Sequence, residues 1–142
     1  MTREEAAAAV NSLQRAWRAR DTAALAAAHA TDSIVHSPIF GVIQGRPAIE
    51  QSYRDLFTAF ADWTLDSEDL VIDGNRVAQF FKVNASHTSE FFGIPPTGRR
   101  FEAHGVLFME FRDGLIIRER RIYDFIGMLL QIGVLKARPS RA

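Results

Sequence analysis

The fold is decided by the stretch of residues 101–123, which reads FEAHGVLFMEFRDGLIIRERRIY. Two strand-like segments flank Asp113 and Gly114, a dipeptide that favours a tight hairpin turn because glycine reaches positive φ at little cost. Two more strand-like segments, residues 64–72 and 76–88, surround the turn sequence Asp73-Gly74-Asn75. The second half of the chain is therefore expected to form antiparallel hairpins.

The first half of the chain has a helical pattern instead. Val10, Leu13 and Trp17 recur at the spacing of one helix face, and Pro47 suits the first turn of a later helix. The expected elements are a helix over 3–20, a short helix over 23–29, a turn at 31–33, a brief strand over 34–37, a third helix from 45 to near 62 and a final helix over 125–135. Helices followed by antiparallel strands predict an α+β fold with helices against one sheet face.

Length and composition limit the function classes. The chain has 142 residues, which indicates a single domain over residues 1–142, with a polar and flexible tail expected over 136–142. Lys plus Arg equals Asp plus Glu at 17 each, which argues against nucleic acid or an anionic membrane as a partner. No run approaches the ~20 apolar residues of a membrane span, and the N-terminus does not resemble a secretory signal. We therefore expect a cytoplasmic location.

Metal and thiol chemistry also find little support in the sequence. The chain has no cysteine, which excludes disulfides, thiolate nucleophiles and cysteine–zinc sites. The four histidines are too scattered to form a helical pair of metal ligands. We expect neither a metal nor an organic cofactor.

Asp124 is the most informative single residue. It follows a predicted strand directly and precedes the apolar segment 125–130. A carboxylate among apolar neighbours is costly to desolvate, so it must be partnered, protonated or functional. An N-cap of the last helix and a catalytic carboxyl both satisfy this requirement, and the two roles are compatible.

Three histidines are further candidates. His36 ends the brief predicted strand, and His87 lies near the end of the strand that begins at residue 76. His104 shares its strand face with Glu102 and Glu110, as on a solvent or interface face, unless a bulge at the next glycine resets the alternation. The direction of His104 is therefore open.

A charge cluster and several aromatic residues complete the candidate list. The run of residues 118–121, Arg-Glu-Arg-Arg, is typical of a solvated or dimer-facing sheet surface, with anion binding as the alternative. Aromatic side chains are core by default but can also line an apolar binding cavity. The aromatic candidates for substrate contact are Trp17, Tyr53, Phe57, Trp63, Phe108 and Tyr123.

Several segments together resemble a known family. They are DSIVHSP at 32–38, SHTSEFFGIPPTGRR at 86–100, FRDGLI at 111–116 and YDFIGMLLQIG at 123–133. The chain resembles, over nearly its whole length, the SnoaL-like polyketide cyclase (ester cyclase) branch of the NTF2-like superfamily. The Gly-Ile-Pro-Pro-Thr-Gly segment and the final Asp-x-x-Gly-x-x-x-Gln-x-Gly pattern carry most of the likeness.

The resemblance implies a fold, an assembly and site residues. It implies an NTF2-like (cystatin-like) cone, in which a curved antiparallel sheet wraps around the N-terminal helices and a pocket opens at one end. It also implies a homodimer through the sheet. In the family's cyclases the aspartate matched by Asp124 is the general acid/base, and His104 is matched as a catalytic partner. His104 and His87 would be polar groups of the substrate pocket. His36 is a further candidate for substrate contact, apart from the resemblance.

Three functions remain open on these residues. The first is a cyclase-type enzyme that performs acid/base chemistry, an aldol-type cyclisation or isomerisation, on a small hydrophobic carbonyl compound. The second is a small-ligand-binding protein of the same fold without catalysis, and the third is an epoxide-hydrolase-like hydrolase. Catalysis predicts that Asp124 faces an open apolar cavity, whereas ligand binding alone predicts that Asp124 is an ionised helix cap.

Overall fold

The structure is a computed structural model that describes residues 1–136. The predicted flexible tail, apart from its first residue, lies outside the described residues. The elements are α1 (Arg3–Ala19), α2 (Thr22–Ala27), β1 (His29–Ser37), β2 (Gly41–Gln44), α3 (Arg46–Ala59), β3 (Thr64–Asp73), β4 (Arg76–Ser86), β5 (Arg100–Arg112), β6 (Leu115–Tyr123) and α4 (Phe125–Gln131). Within the described part, no helix is long and apolar enough to cross a membrane.

The six strands form one sheet in the order β2-β1-β6-β5-β4-β3. Both predicted hairpins are present, and β4 pairs with β5 without interruption over the whole of β4. Among residues 1–136, one strand pair is parallel, β1 with β6. The chain between these two strands runs through β2, α3 and the three other strands, a crossover long enough for parallel pairing. The predicted α+β fold is confirmed, with this parallel pair as a departure from an entirely antiparallel sheet.

Two local predictions in the first half are wrong. Residues 31–33 are not a turn but part of β1, and residues 41–44 form a strand that was not predicted. Thr31 and Asp32 are exposed polar residues on a strand near the sheet edge, so their composition mimics a turn. The short β2 is held by pairing with β1 rather than by its own pattern.

The helices cover one face of the sheet. Trp17 of α1 packs edge-on against Tyr53 of α3 at 5.3 Å between ring centroids, and both side chains are buried. Arg46 at the start of α3 donates to the carbonyl oxygen of His29 at 2.6 and 3.0 Å, which ties α3 to the start of β1. The concave face of the sheet and the inner sides of α1 and α3 therefore make one apolar core.

The strand alternation separates a buried face from an outer face. On β5, Ala103 and Leu107 point into the core, while His104 points outward. The direction of His104, which the sequence left open, is settled by the β4–β5 register, which runs through Gly105 without a bulge. A Cβ at Gly105 would lie 2.4 Å from the carbonyl oxygen of Ile122 and 2.7 Å from the ring of Phe81. A glycine at this position therefore allows the Phe81 ring to pack directly against the backbone of β5.

Candidate functional site

A small aromatic groove opens where α3, the turn between β1 and β2 and the proline-containing loop meet. Its volume is about 270 Å³. The groove is lined by Phe40, Asp55, Thr58, Ala59, Glu90, Phe91 and Phe92. The rings of Phe40 and Phe92 approach to 5.7 Å across it, and we call this feature the mouth groove.

Behind the mouth groove lies a cluster of buried rings. Phe91 lines the groove and contacts Phe60 at 5.1 Å, and Phe60 in turn contacts Phe101 at 5.4 Å. His87 and Trp63 flank the same Phe60 ring at 6.1 and 5.8 Å. The layer behind the groove is therefore a closely packed set of aromatic rings, in which two nitrogen-bearing rings lie against Phe60.

The imidazole of His87 is fully buried and has one unused donor. The backbone N–H of Thr97 donates to its Nδ1 at 3.2 Å, so a neutral ring carries its proton on Nε2. Nε2 has no hydrogen-bond partner, and neither has Nε1 of Trp63. Buried donors without acceptors are rare in folded proteins, and a bound ligand or an ordered water is the usual reason for them.

A second polar cluster lies deeper, between β6 and α3. Glu119 accepts hydrogen bonds from Nε2 of His29 and from Nε of Arg121, each at 3.2 Å. The guanidinium of Arg121 lies over the ring of Tyr53 at 4.6 Å, and its Nη1 donates to Ser52 at 3.4 Å. All five side chains are buried, and we call them the inner cluster.

The inner cluster holds its charges strongly. Burial alone would raise the pKa of Glu119, but the Arg121 guanidinium and the His29 hydrogen bond outweigh it and hold the pKa at about 2. Burial would likewise lower the pKa of Arg121, yet the neighbouring Tyr53 and Glu119 raise it. Burial raises the pKa of Tyr53. The carboxylate and the guanidinium are therefore both charged at neutral pH.

His29 has an acceptor at each ring nitrogen. Its Nδ1 lies 3.0 Å from the carbonyl oxygen of Leu25, and its Nε2 faces the Glu119 carboxylate. A neutral ring donates to one of these two oxygens, and the carboxylate of Glu119 is the stronger acceptor.

Asp124 and His104 lie outside the core. Oδ1 of Asp124 accepts from the N–H of Gly127 at 2.8 Å, which makes Asp124 the N-cap of α4, and the residue is exposed. The ring of His104 is exposed beside Glu68, at 3.2 Å from Nδ1 to Oε1. Both residues line one open groove of about 430 Å³ on the outer face of the sheet. The structure brings the two together, but Asp124 does not face the interior.

The remaining candidates divide between the two faces. The side chains of Trp17, Tyr53 and Trp63 are buried in the core, and those of Phe57 and Tyr123 are partly buried against it. His36 and Phe108 belong to the outer face, where His36 lies beside Arg120 on the neighbouring strand. Whether any of these residues contacts a substrate stays a prediction.

The inner cluster was missed in the sequence, although the pattern contained a signal for it. The charged run at 118–121 lies on a strand, so alternate members must point to opposite faces. Arg118 and Arg120 do point outward, as expected for a solvated or dimer-facing surface, but Glu119 and Arg121 point into the core.

Gln79 is also fully buried, and neither of its side-chain polar atoms has a partner. Among residues 1–136 there is no group of three or more side chains suited to a metal ion.

The single sheet packed around the N-terminal helices is an NTF2-like fold. The model of the SnoaL-like polyketide cyclase family matches residues 7–132. The chain therefore belongs to the SnoaL-like polyketide cyclase family. No functionally curated protein matches the sequence.

Solved structures of similar proteins share this fold. AclR of Streptomyces galilaeus, described as a proposed hydroxylase, is 24% identical with a TM-score of 0.84, and the match covers 97% of this chain and 91% of AclR. IdmH of Streptomyces antibioticus, described as a proposed polyketide cyclase, is 29% identical with a TM-score of 0.77, over 89% of this chain and 97% of IdmH. A proposed SnoaL-like polyketide cyclase from Jannaschia sp. CCS1 is 18% identical with a TM-score of 0.77, over 90% and 93% of the two chains.

Proposed function

We propose that this protein is a cyclase-type enzyme that binds a small hydrophobic carbonyl compound through the mouth groove and converts it by acid/base chemistry without a cofactor. One observation carries the proposal: the buried donors His87 Nε2 and Trp63 Nε1, which lack acceptors, flank the same apolar ring behind the groove. Both N–H groups need a hydrogen-bond acceptor. A mostly apolar ligand can enter a site without water and still supply one acceptor through its carbonyl oxygen.

The chemistry follows from hydrogen bonding to that oxygen. A hydrogen-bond donor at the carbonyl oxygen stabilises the negative charge that develops when a proton leaves the adjacent carbon. This stabilisation is strongest where water is excluded. The resulting enolate can attack a second carbonyl of the same molecule, which closes a ring, or it can take the proton back elsewhere, which isomerises the compound. A positioned acid/base group typically contributes ~10²–10⁴-fold to such a step.

The proton acceptor in this proposal is Asp124, as family resemblance implies, with His104 beside it in the same outer groove. Asp124 is connected to the mouth groove through the next residue, Phe125, whose ring lies 6.4 Å from that of Phe91. Asp124 is exposed, and its Oδ1 accepts the hydrogen bond of the α4 N-cap, so its role as the base is the first point to test.

A non-catalytic ligand-binding protein is the second candidate, and the same residue favours it. Asp124 makes the hydrogen bond of an ordinary helix N-cap, and side chains of the core fill the space between α3 and the sheet. Binding alone needs the aromatic groove and the unused donors, but no base. This candidate and the cyclase therefore agree on His87 and differ on Asp124.

A hydrolase is less well supported by the geometry. The interior does contain a carboxylate, Glu119, which such a reaction could use to activate water. Its pKa of about 2 makes it a poor acceptor of a proton, because the Arg121 guanidinium and the His29 hydrogen bond stabilise its charged form. Glu119 therefore fits electrostatic stabilisation better than proton transfer.

The experiment that separates these candidates uses two variants and one panel of β-dicarbonyl and polycyclic ketone compounds. His87→Phe removes the donor and keeps an aromatic ring, and we expect a loss of about tenfold in affinity for any carbonyl ligand found. Asp124→Asn keeps the shape and removes the base, so a catalytic role predicts a fall in turnover of ~10²-fold or more with unchanged affinity. Unchanged turnover removes Asp124 from the mechanism, and unchanged binding by His87→Phe refutes the carbonyl site.

We further propose that the protein forms a homodimer through the outer face of its sheet. The register aligns Phe80, Val106 and Ile122 in one row across three strands, and 43% of Phe80 and 55% of Ile122 are exposed. An exposed apolar row on a sheet is typical of an interface. A two-fold axis along this row would place Arg120 of one copy opposite Asp124 of the other. Such a dimer would cover the outer groove and pair Asp124, so it is compatible with the ligand-binding candidate and not with Asp124 as the base. The expectations of a cytoplasmic location and of no nucleic acid or membrane partner stay predictions.

A further inference from the structure

The mouth groove combines aromatic rings with negative charge. Three of its lining side chains are phenylalanine rings, and two are carboxylates, Asp55 of α3 and Glu90 of the proline-containing loop. None of the described residues that line the groove is basic. The groove therefore presents two carboxylates on a surface that is otherwise mostly apolar.

The two carboxylates are not paired with basic side chains of the described chain. Oδ1 of Asp55 accepts a hydrogen bond from the side-chain amide of Gln51 at 2.8 Å, which holds the carboxylate without neutralising its charge. Glu90 is exposed, and within residues 1–136 neither carboxylate forms an ion pair. Arg54, which precedes Asp55 in α3, pairs with Glu50 at 2.6 Å instead. Both carboxylates are therefore available to a positively charged ligand.

The ring of Phe92 is held at the surface beside these charges. Phe91 and Ile94 exchange backbone hydrogen bonds at 3.1 and 2.8 Å, which closes a tight turn around Phe92. Phe92 has a φ of 49°, a left-handed conformation that is uncommon for a bulky side chain. The turn leaves 60% of Phe92 exposed, with the rings of Phe40 and Phe91 at 5.7 and 4.7 Å from it between centroids. An aromatic surface therefore faces solvent at the mouth of the groove.

Aromatic rings and carboxylates together are suited to a cation. The face of an aromatic ring carries partial negative charge, and it attracts a cation that lies within about 6 Å of its centroid. Alkylated ammonium groups are the usual ligands of such surfaces, because their methyl groups pack against the rings while the charge stays close. The carboxylates would attract the same group and would repel an anion.

We propose that the mouth groove binds a tertiary or quaternary ammonium group, and that the carbonyl compound converted by this protein carries such a group at its outer end. The statement about the substrate rests on the proposed function, whereas the ammonium site needs no reaction. The groove volume of about 270 Å³ lies below the range of about 300–1,000 Å³ that is typical of sites enclosing a whole drug-sized molecule. It therefore suits one end of a ligand.

Choline and 3,3-dimethylbutan-1-ol form the probe pair, because they have nearly the same shape and differ by a charged nitrogen in place of a carbon. Each probe is titrated into ¹⁵N-labelled protein at pH 7 and low salt, and its dissociation constant is obtained from the shifts of backbone amide signals. We expect choline to bind about tenfold more tightly than the neutral alcohol. The largest shifts should occur at Thr58 and Phe92, which belong to the groove.

Three variants assign the selectivity to the groove. Phe92→Leu keeps an apolar side chain and removes the aromatic face, so the affinity ratio of the two probes should fall to about threefold, the share left to the carboxylates. Glu90→Gln keeps the size and removes the charge, and it should also lower the ratio by weakening choline alone. Asp66→Asn is the matched control, because it removes an exposed carboxylate of β3 that does not line the groove, and it should leave the ratio unchanged.

A second pair of compounds tests the statement about the substrate. A β-diketone that carries a dimethylamino group is protonated at pH 7, and we expect it to bind about tenfold more tightly than its isopropyl analogue. Equal binding of these two compounds would overturn the substrate class.

The outcomes separate the ammonium site from the proposed function. Equal binding of the two probes, no binding of either, or a full ratio in Phe92→Leu would each show that the ammonium site is wrong. In those cases the proposed function stands if the carbonyl panel still binds and His87→Phe weakens that binding. If choline is selected as expected but no carbonyl compound binds, the ammonium site stands and the proposed function fails.

Discussion

Removal of the Arg121 side chain is the sharpest test of the buried charge cluster. Arg121→Met keeps an unbranched apolar side chain at this position. It removes the guanidinium partner of Glu119, whose carboxylate stays buried with 2% of the residue exposed. Breaking one side of such a buried pair typically costs about 3–5 kcal/mol. The lost contact with the Tyr53 ring adds about 1–2 kcal/mol at most.

The expected loss is large compared with the whole stability of a domain, which is about 5–15 kcal/mol. It corresponds to a fall in melting temperature of roughly 10–20 °C for a chain of this size. Urea unfolding followed by far-UV circular dichroism gives the free energy, and a thermal scan gives the second measure. The assay should be run at pH 7, where Glu119 is ionised in the parent protein.

The double variant Glu119→Gln/Arg121→Met is the matched control. The glutamine keeps an acceptor for His29 and removes the charge, so the uncompensated carboxylate is gone. We expect the double variant to recover at least half of the stability lost in Arg121→Met, since replacing both partners of a buried pair is often close to neutral. A cost below about 1 kcal/mol for Arg121→Met, or no recovery in the double variant, would refute the reasoning.

Two further predictions concern pH and assembly. Because the pKa of Glu119 is lowered from 4.5 to about 2 in the folded protein, its stabilisation is complete above pH 4.5 and is lost as the pH falls toward 2. Between pH 4.5 and 2 the parent should therefore lose up to about 3 kcal/mol more of its free energy of unfolding than Glu119→Gln/Arg121→Met. Equal losses in the two proteins would contradict the lowered pKa of Glu119. For the dimer, Arg120→Glu and Asp124→Arg should each weaken self-association in sedimentation experiments, whereas an equal mixture should form a heterodimer, because each opposed pair then has unlike charges. Arg76→Glu, on the same face but distant from the row, is the control, and a mixture that stays monomeric would argue against this two-fold arrangement.

Several features were predictable from the sequence because they depend on neighbours along the chain. Alternation and the turn at Asp113-Gly114 are local signals, and they predicted the hairpin of β5 and β6 correctly. The helical spacing of α1 and the N-cap at Asp124 are equally local. The family likeness rests on short motifs of the same kind, and it also proved correct.

What only the tertiary structure decided is which face of the sheet each charged residue occupies and what it meets there. A strand period of two predicts that Glu119 and Arg120 point to opposite sides, but it does not say which side α3 covers. The parallel pairing of β1 with β6 brings His29 to Glu119 across 90 residues of sequence, and α3 brings Tyr53 to Arg121. These contacts join elements far apart along the chain, and their energy comes from burial and charge pairing, which no local pattern encodes. For the same reason the sequence could name Asp124 and His104 as candidates, but only the packing of the helices showed that both lie on the outer face.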